Sequence, residues 1–146
     1  MTEPESGQEA RLRRLEDLEE IRQLFIDYGL LLDLGDYAAY AKLFAEDGEL
    51  MLGPMGRAKG RDEIEAMMAR IGRSDASFHL ITSPIVTLDG DRAASRVMWT
   101  VINRAEDGNP LVRMIGHHED DLVREGGRWR FLRRRGFVEI PSAVQR

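Results

Sequence analysis

The chain has 146 residues, a formal net charge of -5 and no cysteine. The lack of cysteine excludes disulfides, thiolate metal sites and a cysteine nucleophile, and it fits a cytoplasmic location. Because its 21 basic residues are scattered among 26 acidic ones, we expect no nucleic-acid partner. Apolar stretches such as residues 30–32 are far too short to cross a bilayer, so we expect no membrane partner.

The N-terminal part of the chain has a helical pattern. Apolar residues recur at steps of three and four from Arg11, which predicts an amphipathic helix ending at about Leu34. Gly35 is suited to end this helix. Asp36 is placed to cap a second, short helix over residues 37–44.

The segments on either side of these helices are less regular. Residues 1–8 show no apolar periodicity and are predicted to be a disordered tail, which leaves residues 9–146 as a single domain. Residues 45–48 are predicted to form a turn and residues 49–52 a short strand. Residues 53–60 contain several glycines and a proline, which predicts a loop.

A third helix and a run of strands complete the chain. The helix should begin at Asp62 and cover residues 63–71, with a loop over residues 72–76 after it. Four strands are predicted over residues 78–88, 93–104, 111–125 and 128–140, separated by Asp-Gly and Gly-Gly turns. Helices followed by an antiparallel meander indicate an α+β fold. Since long strands twist and coil, we expect a cone-shaped barrel, a curved and mainly antiparallel sheet closed by the N-terminal helices around a pocket.

Alternation along the strands predicts which side chains face that pocket. The concave face of the third strand should carry Val112, Met114, Gly116, His118, Asp120 and Leu122. The second strand should contribute Ala93, Ser95, Val97, Trp99 and Val101. The other face of the third strand carries Arg113, and there His117, Glu119 and Asp121 are expected to be solvated or to contact another subunit. The run Arg133–Arg135 is predicted to be a solvated strand segment.

Asp33 is the most informative acid, because it lies within the run Leu30–Leu34. A carboxylate among leucines is costly to bury unless a partner pairs with it. The structural alternative is that Asp33 simply ends its helix and caps the turn. Composition does not assign His79 to either face of its strand. His117 and His118 lie on opposite faces of a regular strand and cannot chelate one ion, so we expect no metal site.

Several segments, taken in order, resemble the SnoaL-like branch of the nuclear transport factor 2-like superfamily. They are Tyr28, Asp33–Asp36, Leu43–Gly48, Gly60–Ile64, His79, Leu88–Ala93, Gly116 with His118 and Asp120, and Gly126–Phe131. The resemblance covers about residues 12–138 and implies the same cone-shaped fold with a buried pocket.

The resemblance also implies a chemistry. Two enzymes of this branch, scytalone dehydratase and hexachlorocyclohexane dehydrochlorinase, use an aspartate–histidine pair for elimination, and their pair corresponds to Asp33 and His79. His118 falls where scytalone dehydratase has a pocket asparagine. That enzyme's second pocket histidine has no counterpart within Val97–Asn103, and Ser83 with Pro84 replaces a family asparagine. The substrate therefore does not carry over.

A histidine held by a carboxylate can abstract a proton near neutral pH. Asp33 and His79 are thus the candidate catalytic pair of a cofactor-independent lyase or isomerase, with His118 as a second acid or hydrogen-bond donor and Asp120 behind it. The substrate would be a small, largely apolar or aromatic oxygenated molecule. Candidate lining residues are Tyr28, Phe44, Met67, Trp99 and Met114, with Asp120 as a polar contact.

Other interpretations remain open at this point. His79 and His118 can each be ordinary structural histidines. The whole chain can be a non-catalytic module for small-molecule binding or assembly, or a subunit similar to the small β subunit of ring-hydroxylating dioxygenases. An exposed sheet face often binds a second copy, so a homodimer or homotrimer is expected.

Overall fold

The computed structural model describes residues 4–72 and 77–140. Its first helix, α1, spans Gly7–Leu34 and begins four residues before the predicted start at Arg11. The cause is a capping box: the Glu9 N–H donates to Ser6 Oγ at 3.1 Å, and the Ser6 N–H donates to Glu9 Oε2 at 3.0 Å. The predicted disordered tail of residues 1–8 is therefore wrong at Gly7 and Gln8.

Gly35 ends α1 in the left-handed conformation, with φ of 72°. Its N–H bonds back to the carbonyls of the last helical turn. Helix α2, Tyr37–Ala41, follows, and the Asp36 carboxylate caps it by accepting from the Ala39 N–H at 3.1 Å. Both end signals read from the sequence are confirmed, although α2 is three residues shorter than predicted.

The segment after α2 departs most from the sequence prediction. Strand β1, Phe44–Met51, includes residues 45–48, which were expected to form a turn. It pairs in parallel with the C-terminal strand of the chain. The register of this pairing is irregular between Phe44 and Glu49, where the turn-like residues lie. The predicted loop over 53–60 contains a 3₁₀ helix, Gly53–Met55, and a short strand β2, Arg57–Lys59, which pairs with β1.

The remaining elements lie close to their predicted positions. Helix α3 spans Arg61–Ile71. Four strands follow: β3 at Ser77–Asp89, β4 at Arg92–Arg104, β5 at Pro110–Glu125 and β6 at Arg128–Ile140. Of the predicted loop 72–76, residues 73–76 lie outside the described part of the chain.

The six strands form one sheet in the order β2-β1-β6-β5-β4-β3. All neighbours are antiparallel except β1 and β6. The α+β class and the curved, mainly antiparallel sheet are confirmed. The sheet is not closed into a barrel, because β2 and β3 are its two edges. The helices cover the concave face of the sheet. Within the described residues, none of these helices is long and apolar enough to cross a membrane.

The core lies between α1 and the concave face of the sheet, where Ile21 and Phe25 meet Val97, Leu122 and Phe131. The prediction for β4 is confirmed, because its five inward residues are all buried. Two residues of the predicted surface segments are buried within the chain. His117 lies on the outer face but is only 8% exposed, because its ring stacks on that of Phe137 with a centroid distance of 4.9 Å. Arg134 is fully buried.

Candidate functional site

A cavity of about 430 Å³ opens between the C-terminal ends of α1 and α3 and the concave faces of β3, β4 and β5. This volume is in the range of small-molecule pockets. The lining is mainly apolar, with a few polar groups. Its residues are Tyr28, Leu32, Asp33, Tyr37, Leu52, Met55, Met68, Ile71, Gly72, Ser77, His79, Trp99, Val101, Asn103, Arg113, Met114 and His118.

Asp33 and His79 are in direct contact at the wall of this cavity. Asp33 Oδ1 lies 2.7 Å from His79 Nδ1, and the His79 backbone N–H also points at both carboxylate oxygens, at 3.1 and 3.2 Å. The side chains are 19% and 27% exposed. Asp33 therefore connects α1 to β3, and Gly35 rather than Asp33 ends the helix. With Nδ1 donating to the carboxylate, Nε2 is the basic nitrogen.

Gly29 allows α1 to approach β3 closely enough for this contact. A Cβ at position 29 would lie 3.0 Å from Ile81 Cγ1 and 3.4 Å from the His79 carbonyl oxygen. A larger residue would push helix and strand apart, one helical turn before Asp33. The sequence analysis did not single out Gly29, although a glycine inside a helix often marks such a close approach.

His118 lies deeper in the cavity and is 5% exposed. Its ring packs between Tyr28 and Trp99, with centroid distances of 5.2 and 5.9 Å. Within the described residues, its buried Nδ1 has no hydrogen-bond partner. Burial, followed by the charges of Arg134, His79 and His117, holds the pKa of His118 well below its ordinary value. This imidazole is therefore neutral at physiological pH.

Asp120 does not line the cavity, although it was predicted to be a polar contact there. Its carboxylate accepts from Arg134 Nε at 2.9 Å, from Arg134 Nη2 at 3.3 Å and from Ser95 Oγ at 2.9 Å. Both charged side chains are 0% exposed. The guanidinium lies 4.1 Å from the ring centre of Tyr28 and 4.2 Å from that of Phe131. This buried pair therefore packs directly against Tyr28, which lines the cavity.

The predicted lining is only partly correct. Tyr28, Trp99 and Met114 do line the cavity. Phe44 is 0% exposed in the core, between Tyr40 and Phe131. Met67 is also in the core and packs towards Gly56. Met68 takes the lining position instead, because one residue along a helix rotates the side chain by about 100°.

Arg113 and Asn103 line the cavity although the sequence analysis did not place them there. A β-bulge brings Arg113 in. Val101 lies opposite Met114 and Ile102 opposite Val112, so Arg113 is the extra residue in β5. The alternation of inward-facing and outward-facing side chains along β5 is broken at Arg113. Val112, which was expected to face inward, is 54% exposed.

The cavity wall carries a histidine paired with a carboxylate, and the described residues form no cluster of metal ligands. Among residues 4–72 and 77–140, no three histidine, aspartate or glutamate side chains converge as an ion site would require. The chemistry available to the described side chains is proton transfer at His79 together with hydrogen bonding from neutral His118.

Comparison with known proteins identifies the family of this fold. The model of the SnoaL-like domain matches residues 13–135. A crystal structure of an NTF2-like protein with a cystatin-like fold from Novosphingobium aromaticivorans is 32% identical and superimposes with a TM-score of 0.86. That match covers 99% of this chain and 96% of the other.

Two further structures from the same organism share the fold. A scytalone dehydratase-like protein is 24% identical, with a TM-score of 0.74 and coverage of 87% of each chain. The β subunit of a proposed aromatic-ring-hydroxylating dioxygenase is 17% identical, with a TM-score of 0.73, covering 87% of this chain and 91% of that subunit. At these identities the likeness concerns the fold alone.

Proposed function

Since this chain belongs to the SnoaL-like domain family, we propose that it is a cofactor-independent lyase or isomerase that abstracts a proton from a small organic molecule. The observation that supports this most directly is the 2.7 Å contact between Asp33 and His79 at the wall of a cavity. A histidine with a carboxylate on Nδ1 and a basic Nε2 is a general base suited to neutral pH.

The proposed reaction needs only the residues of the cavity. His79 Nε2 takes the proton from a carbon next to a carbonyl, and Asp33 stabilises the imidazolium that forms. The electrons of the broken C–H bond form the double bond of an enolate. In a dehydration, the enolate electrons then form a carbon–carbon double bond and break the bond to the β-hydroxyl, which takes the proton from His79 as it leaves and becomes water. In an isomerisation, the proton returns to a different carbon.

His118 has the properties of a hydrogen-bond donor to the substrate oxygen. A neutral imidazole donates from one ring nitrogen without releasing its proton, which stabilises the charge that develops on an enolate oxygen. Its buried Nδ1 is unpartnered within the described residues. The rings of Tyr28 and Trp99 fix its orientation. The mainly apolar lining favours an aromatic or otherwise largely apolar substrate.

The test is the exchange of α-protons with deuterated solvent, which reports proton abstraction even when the natural leaving group is unknown. The probe is a bicyclic aromatic ketone such as 2-tetralone, followed by NMR. His79→Gln and Asp33→Asn should each reduce exchange by roughly 100-fold or more. His117→Gln is the control, since this histidine lies on the outer face. If the first two variants catalyse exchange as fast as the control, the proposal is wrong.

The likeness to a dioxygenase β subunit supports a second candidate, a non-catalytic module or assembly subunit. In that case the chain would copurify with a larger iron protein from its native cells. A bound small molecule would also be released unchanged, and the Asp33 and His79 variants would still bind it.

We further propose that copies of the chain associate as a homodimer or homotrimer through the outer face of the sheet, and that this single-domain protein acts in the cytoplasm. Large apolar side chains are exposed on that face: Phe78 at 60%, Leu80 at 46%, Val112 at 54%, Phe137 at 42% and Ile140 at 58%. Register pairs Phe78 with Ile102 and Ile102 with Val112, so Phe78 and Val112 lie in one row of apolar side chains across that face. Patches of this kind mark interaction sites.

A further inference from the structure

Arg113 is a cation in the wall of the cavity, and no residue that the structure describes supplies it with a counter-charge. Among the described residues it has no ion pair and no hydrogen bond. Arg134, which also faces the helices, is paired with Asp120. A guanidinium stays charged in any protein environment and presents donors in a fork that matches a carboxylate. An unpaired one beside apolar side chains therefore favours an anionic ligand.

Among the described residues 4–72 and 77–140, the neighbours of Arg113 in the cavity add hydrogen-bond donors and no unpaired acid. Asn103 lines the same part of the cavity. Its Oδ1 lies 3.5 Å from Ser77 Oγ. Its Nδ2 has no partner in the described part of the chain and is available to donate. Of the lining residues that the structure describes, Asp33 is the only carboxylate, and it is engaged by His79.

The strand register indicates how far Asn103 and Arg113 lie from His79. His79 lies opposite Val101, which lies opposite Met114, so these three form one row across the sheet. Ser77 and Asn103 form the next inward-facing row, two residues away along their strands. Two strand residues span about 7 Å. A ligand held by Asn103 and Arg113 would thus extend to His79 across roughly one six-membered ring.

We propose that Arg113 and Asn103 form an anion subsite, and that the substrate is a small aromatic or alicyclic carboxylic acid. Arg113 binds the carboxylate through two parallel N–H donors, and Asn103 Nδ2 adds a third. The apolar body of the acid lies against Trp99 and Met114, with its reacting C–H bond at His79. This assignment rests on the proposed function only for the role of His79; the subsite itself is defined by binding.

The probes are 1-naphthoate and the neutral amide of the same shape, 1-naphthamide, titrated calorimetrically into the full-length protein. A charge-assisted contact in a partly dry site should give the carboxylate roughly 10- to 100-fold tighter binding. Arg113→Gln should abolish this preference, and Arg113→Lys should reduce it. Arg96→Gln is the control, since Arg96 is exposed and, within the described residues, its side chain hydrogen-bonds only to Met98 Sδ on its own strand.

Three outcomes would overturn the subsite: equal binding of acid and amide, no binding of either, or a preference that survives in a folded Arg113→Gln protein. The His79→Gln variant separates this inference from the proposed function. It should keep the preference for the carboxylate while losing proton exchange. If it keeps both, the proton-transfer role fails and the subsite stands. If it loses exchange while the wild-type protein shows no preference for the acid, the subsite fails alone.

Discussion

The buried pair of Arg134 and Asp120 allows a quantitative test of the packing below the cavity. Asp120→Ala leaves a guanidinium that is 0% exposed without a counter-charge. Removing one partner of such a pair costs about 3–5 kcal/mol. Since a domain of this size is stable by about 5–15 kcal/mol, the variant should lose a large part of its stability. Urea unfolding followed by tryptophan fluorescence measures this loss, because both Trp99 and Trp129 are buried.

Two comparisons isolate burial as the cause. Glu19 and Arg22 form a pair of nearly equal length, 2.8 Å, but their side chains are 63% and 57% exposed. Glu19→Ala should therefore leave the unfolding midpoint unchanged. Burial also raises the pKa of Asp120 despite the nearby Arg134, which indicates that desolvation outweighs attraction in this pair. The double change Asp120→Leu with Arg134→Met should recover most of the lost stability. A loss below about 1 kcal/mol in Asp120→Ala, or a double variant as unstable as the single one, would refute this reasoning.

Two further predictions concern His118 and the apolar outer face. Because the pKa of His118 is held well below its ordinary value of 6.5, the unfolded chain binds a proton below about pH 6.5 that the native protein does not. The contribution of His118 to stability is therefore complete above that pH and falls on acidification, by up to about 1.4 kcal/mol per pH unit. His118→Gln should reduce the pH dependence of the free energy of unfolding, measured with urea, between about pH 5 and 7. An unchanged pH dependence would contradict the lowered pKa of His118. On the outer face, Phe78→Ser with Phe137→Ser should convert an oligomer seen by light scattering into a monomer, while Leu15→Ser on exposed α1 should not. A monomeric wild-type protein would exclude this interface.

Local signals in the sequence were sufficient for the outline of the fold. Gly35 and Asp36 mark a helix end and a helix start through their own backbone and side-chain chemistry. The turns at Asp89–Asp91 and Gly126–Gly127 define hairpins, so β3 to β6 were located within two residues. The pairing of Asp33 with His79 followed from the family resemblance, since the two residues are 46 positions apart.

Features that depend on distant partners were missed. Strand β1 forms over a turn-like sequence because β6 lies beside it. Arg134 was assigned to a solvated segment because nothing local shows that Asp120, on the neighbouring strand, neutralises it. A bulge shifts side-chain alternation by one residue, and its position at Arg113 depends on how β4 and β5 pair.

The contact between Asp33 and the backbone of His79 has a consequence for solubility. Strand β3 is an edge of the sheet, and unpaired amides on an edge are templates for pairing with another chain. The His79 N–H would be such an amide, but it donates to Asp33. The carboxylate that contacts the imidazole thus also occupies an edge amide that would otherwise be free to pair with another chain.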